Sequence, residues 1–153
     1  MPKHQPAKGL CPRCGTKGTN VDAATVKAML SVSLRQLHDT PYRFCAVPAC
    51  VVVYFAEDGV QAFTTAEIRE RVYQKEPEVD DVLICYCFQH TPGNIRQQFL
   101  QSNETGILDD IQAGIRAGQC ACDWRNPQGT CCLGNVREFI RQLRLMGSAT
   151  PKT

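Results

Sequence analysis

Thiolate sulfur is a ligand for soft and borderline metal ions, and ten of the 153 residues of this chain are cysteine. They fall into two sets. Cys11-x2-Cys14 and Cys45-x4-Cys50 make the first; Cys85-x-Cys87, Cys120, Cys122 and the adjacent Cys131 and Cys132 make the second. Four thiolates supplied by two short loops match a tetrahedral zinc site, which is then saturated and structural, not catalytic. In the second set a C-x-C turn offers two sulfurs to one iron of an iron–sulfur cluster. Cys120, Cys122, Cys131 and Cys132 compete for the two places left. A cysteine opening the last helix is favoured for one of them, because free amides and the helix dipole stabilise thiolate charge. Cys131 and Cys132 both meet that condition.

The rest of the composition narrows the chemistry. A net charge of +2, with no long block of Lys or Arg, gives no support to a nucleic-acid or membrane-surface partner. The longest apolar run, Cys50–Ala56, is strand-sized and far short of the roughly 18 residues a membrane span needs. Residues 1–8 lack the apolar stretch of a secretory signal, so the expectation is a cytoplasmic protein whose thiols stay reduced for metal. Ser31, Ser33, His38 and His90 stand in no triad or Gly-rich context, and the sequence offers no hydrolase or transferase constellation. Trp124, the only tryptophan, lies in the second cysteine loop and is expected to shield it from water.

Around these sets the patterning predicts an α+β chain: a small zinc-stabilised β-hairpin and helix unit, then a mostly helical cluster-binding unit. Residues 1–10 read as a tail, 11–78 as the zinc unit, 79–147 as the cluster unit and 148–153 as a second tail. Spacing predicts an amphipathic helix over 23–37 and strands at 42–45 and 51–55. Thr64-x-x-Glu67 is a capping box opening a further helix. The acidic, proline-containing stretch 74–81 reads as the linker. Beyond it come a strand over 82–87, helices starting at Thr91-Pro92 and after Gly106, a loop over 120–130, and a last helix from Cys131 to Gly147. Each half has about 70 residues, a size at which a core alone is marginal and a metal makes up the difference.

The motifs carry a resemblance. Cys85-Tyr86-Cys87, followed by Cys122-x3-Asn126-Pro127-x-Gly129-x-Cys131-Cys132, resembles the 2Fe-2S domain of the bacterioferritin-associated ferredoxin type, in the form found at the N-terminus of CopZ-type copper chaperones. Cys11-Pro12-x-Cys14 with Phe44-Cys45-x4-Cys50-x2-Val53-Tyr54-Phe55 is similar to the zinc part of the same module. The likeness covers roughly residues 10 to 145. It implies one zinc ion on Cys11, Cys14, Cys45 and Cys50. It also implies one 2Fe-2S cluster on Cys85, Cys87, Cys122 and Cys132, with Cys120 and Cys131 as alternates.

On this resemblance the expected activity is one-electron transfer serving metal handling, for example reduction of Cu(II) to Cu(I), with a redox partner or a metal-transfer protein as partner. Asn126, Gly129 and nearby amides are expected to tune the cluster, and the two thiols left over, Cys120 and one of Cys131 and Cys132, to offer a soft ion such as copper a transient place. The M-x-C-x-x-C copper loop of the full chaperones does not occur in these 153 residues, so copper delivery itself is not part of the expectation. The other reading is a non-enzymatic iron- or redox-responsive interaction module.

Overall fold

The computed structural model describes residues 9–76, 79–102 and 106–149. The class is α+β, as expected, but the first half holds a four-stranded antiparallel sheet where a hairpin was predicted. Its strands are β1 (Thr19–Val21), β2 (Tyr42–Phe44), β3 (Val52–Ala56) and β4 (Ala62–Thr64), in that spatial order. Phe44 pairs with Thr19 on one side and Tyr54 on the other, and Phe55 pairs with Ala62. β3 is buried along its whole length. A register shift between Val52 and Tyr54 breaks the strand's alternation. Such an irregularity re-aims side chains, and here Val52 and Phe55 both pack with Cys11, Cys45 and Cys50.

Two of the predicted helices are cut short by one contact. α1 spans Ala23–Met29, not 23–37, and buries Thr25, Val26 and Met29. Leu30 leaves it to form an isolated β-bridge with Ile68. The Thr64–Glu67 capping box is present, yet it opens only a single 3-10 turn at Thr65–Glu67, because Ile68 belongs to that bridge. Further turns of the same kind stand at Leu34–Gln36 and Tyr73–Lys75.

The second half is helical: α2 (Pro92–Ser102), α3 (Ile107–Arg116), α4 (Cys122–Arg125) and α5 (Leu133–Ala149). The strand predicted over 82–87 is absent; Cys85 makes one bridge to His90, and residues 86–89 turn between them. α2 buries Ile95 and leaves Leu100 exposed. Ile95, Ile107, Ile111, Val136, Phe139 and Ile140 form the second core, which takes in Cys85 and Cys132. Residue 78, the expected boundary, and residues 1–8 and 150–153 of the two expected tails lie outside the described residues; α5 itself runs through Ala149.

The halves are packed on one another. The Thr25 hydroxyl of α1 donates to the Asp123 carbonyl of α4 at 2.6 Å. The Tyr54 hydroxyl, deep under β3, donates to the Pro127 carbonyl. Tyr86 accepts from the Tyr73 amide at 3.0 Å and donates to the Arg71 carbonyl. Gly129, at φ +77°, backs onto α1 and β1 so closely that a Cβ would sit 3.0 Å from Val21 and 3.1 Å from Thr25. A Gly129→Ala change combines a disfavoured backbone with this crowding and should cost about 2 kcal/mol. In a chain of this size that lowers Tm by roughly 4–8 °C; a thermal melt unchanged from wild type would contradict the packing described.

Candidate metal centres

Loop geometry delivers the first set. Gly15, at φ +76°, closes the tight turn after Cys14, with its amide on the Cys11 carbonyl at 2.9 Å. Cys45 leaves β2 with its amide held by Val53 at 2.8 Å, and Cys50 enters β3 from a turn closed on Val47 at 3.1 Å. All four sulfurs lie within 4.8 Å of one another. Cys11 and Cys50 are 3.8 Å apart and Cys14 and Cys45 3.7 Å. An ion with four sulfurs at about 2.3 Å spaces them about 3.8 Å apart, so the donor set fits tetrahedral zinc. Cys11, Cys45 and Cys50 are buried, and Cys14 faces solvent.

The electrostatics separate these thiols. Backbone hydrogen bonding by Thr16 pulls Cys14 down to about 6. Burial pushes Cys45 up to about 12 and raises Cys50.

The second set is arranged differently. Cys87, Cys120 and Cys122 form a compact triplet within 4.8 Å. Cys122 is 3.6 Å from Cys87 and 3.5 Å from Cys120. Cys85 and Cys132 lie outside the triplet, and both interact electrostatically with Cys122. Interaction with Cys122 and Cys85, together with burial, raises the Cys132 pKa. The same contact lowers Cys85 and takes Cys122 down to about 5. Burial pushes Cys87 up to about 12 and also raises Cys120. Cys132 stands immediately before α5, and the amide of Val136 bonds to its carbonyl at 3.0 Å. Cys131 is exposed and belongs to neither group of clustered sulfurs.

Three sequence expectations for this region need correction. The loop 120–130 contains α4, with Cys122 as its first residue. Trp124, expected to shield the second cysteine loop, is itself 59% exposed. Asn126 is buried, but its amide bonds to the Thr130 carbonyl and its oxygen to the Gln128 amide, which makes it a brace for the loop. The backbone donor to sulfur is one that residue types cannot reveal: the Ala121 amide, 3.1 Å from Cys87 Sγ.

The ten cysteines are all free thiols. Among the described residues no helix is long and apolar enough to cross a membrane.

Residues 8–69 match the profile of the CopZ zinc-binding-domain family. The chain is 32% identical over 122 residues to the copper chaperone CopZ of Archaeoglobus fulgidus, a match covering 80% of this chain and 57% of that protein. The chain thus spans little more than half the length of that relative. Its fold is similar to the X-ray structure of the N-terminal domain of the same organism's CopZ, with a TM-score of 0.68 and 27% identity, over 84% of this chain and 95% of that domain.

Proposed function

With its first half a zinc-binding domain of CopZ type, we propose that this protein is a one-electron carrier in the handling of a soft metal ion, copper being the first candidate. Zinc is held by Cys11, Cys14, Cys45 and Cys50 as a structural ion. A 2Fe-2S cluster is held by Cys85, Cys87, Cys122 and Cys132.

The observation that carries the reading is the shape of the second thiol set. A single tetrahedral ion needs four sulfurs in mutual contact, as the first set provides. Here Cys85 and Cys132 lie outside the compact triplet yet interact with Cys122, and an all-thiolate donor set larger than one ion's four suits two linked irons. When bound, such a cluster takes up and gives back one electron. The chain's own part is to bury Cys85, Cys122 and Cys132 away from water, to donate the Ala121 amide to Cys87, and to leave Cys87 at the half-exposed edge where a redox partner or a Cu(II) ion can approach. Hydrogen bonds to sulfur and restricted exposure are the levers that set potential. The likeness to a copper chaperone supplies the choice of substrate ion.

Anaerobic purification followed by iron, sulfide and zinc analysis tests the assignment. Two irons, two sulfides and one zinc per chain, with a visible band bleached by dithionite and restored by Cu(II), are expected. A colourless protein carrying two zinc ions and no sulfide would replace this reading with a zinc-built interaction module.

Protons compete with zinc for the first set. Cys45 and Cys50, both raised by burial, are protonated near neutral pH and must each release a proton on binding, whereas Cys14 is already largely thiolate. Affinity should therefore rise with pH, by at least about 100-fold per unit, since Cys45 and Cys50 alone release two protons. Chelator competition at pH 6.5 and 7.5 reads this directly, and an affinity that does not change between them contradicts the assignment.

A further inference from the structure

Five thiols meet where the proposed cluster needs four. Cys120 Sγ lies 3.5 Å from Cys122 Sγ, and both are within 4.8 Å of Cys87. Cys120 belongs to none of the three apolar clusters of the described residues, so packing does not account for it. It sits outside any helix, between Gly118, at φ +71°, and the first turn of α4. Cys131, the other thiol left over, is exposed and joins none of these contacts.

We propose that Cys120 and Cys122 are interchangeable ligands for one corner of the cluster, an inference that rests on the cluster reading above. A bond from iron to Cys120 Sγ forms as the bond to Cys122 Sγ breaks. The proton carried by the unbound thiol passes the other way, and no electron is gained or lost. The sulfurs are already neighbours, so the exchange needs movement of side chains and of residues 119–121 only, while Cys85, Cys87 and Cys132 keep their places.

The two forms differ in exposure. Cys122 is buried at the start of α4, whereas Cys120 is half-buried toward solvent. Exposure is one of the determinants of cluster potential. The exchange therefore gives the protein two states of one cluster, a closed one ligated by Cys122 and a more open one ligated by Cys120.

Alanine cannot ligate iron, so Cys120→Ala, Cys122→Ala and the double variant separate the possibilities. Each is purified anaerobically and assayed for iron, sulfide and zinc, with visible and far-ultraviolet circular dichroism. Both single variants should keep two irons and two sulfides, with visible spectra that differ from each other, and the double variant should lose both while keeping its zinc. Loss of iron from Cys122→Ala alone, with zinc and helicity intact, would show that Cys120 cannot take over and overturns the proposal. Loss from Cys120→Ala alone makes Cys120 the obligate ligand and overturns it equally, as does a double variant that keeps its cluster. A wild-type chain with no iron or sulfide fails the cluster assignment itself, a result seen before any variant is made.

Discussion

Replacing Cys45 with alanine should abolish cooperative folding of the whole chain, not of the zinc half alone. Binding of structural zinc by four thiolates is worth about 10–16 kcal/mol in small domains, which equals or exceeds the total stability of most proteins of this size. Cys45 is 1% exposed and sits with Cys11, Cys50, Val52 and Phe55 in a cluster too small to persist on apolar contacts. Once β2 and β3 lose that anchor, Tyr54 no longer presents its hydroxyl to Pro127, and α1 no longer presents Thr25 to Asp123. The segment 122–130 then loses the surface on which it rests. Zinc analysis, far-ultraviolet circular dichroism and iron content measured on one sample check this. The expected result is loss of zinc, of the melting transition and of iron together. A native melt in a zinc-free Cys45→Ala protein would mean that the ion is dispensable and that the first half stands without it.

Cys132→Ala should strip the iron and leave the zinc half standing. Cys132 is 1% exposed, and its thiol interacts with both Cys85 and Cys122. Removing it takes away one of the four proposed ligands; Cys120 groups with Cys87 and Cys122, and Cys131 is exposed. The structural cost is small by comparison, since loss of one sulfur leaves a cavity worth about 1 kcal/mol in the second core. Iron and sulfide should fall to background with zinc at one per chain. The exposed Cys131 provides the control: Cys131→Ala should keep its iron. The opposite pattern, iron kept without Cys132 and lost without Cys131, would reassign the helix-start ligand.

Cysteine spacing made both thiol sets legible in the sequence, because a metal site is written in residue types a few positions apart. The sets' internal geometry was less so. Cys120 and Cys122 are two residues apart, and which of them faces Cys132 depends on where α4 begins, a helix of four residues with no periodicity to announce it. β1 and β4 escaped notice for the same reason: three residues cannot display an alternation, and they are strands because β2 and β3 offer them open edges. The helices over 23–37 and after Thr64 were overpredicted because local signals held while a long-range contact, Leu30 with Ile68, claimed the residues that would have continued them. Longer amphipathic segments such as Ile107–Arg116 were readable because their pattern repeats over several turns. The contacts between halves were invisible, since Tyr54, Pro127, Thr25 and Asp123 are individually ordinary residues.

In a family of related chains the seat of Gly129 would leave a statistical trace. A side chain at position 129 is compatible with this backbone only if positions 21 and 25 yield space, so substitutions at the three sites should arise as compensated pairs and seldom singly. Recombination that joins the first half of one relative to the second half of another would break such pairs. Chimeras of this kind should survive only where the parents carry matching residues at 21, 25 and 129, however well each parent retains its own cysteines.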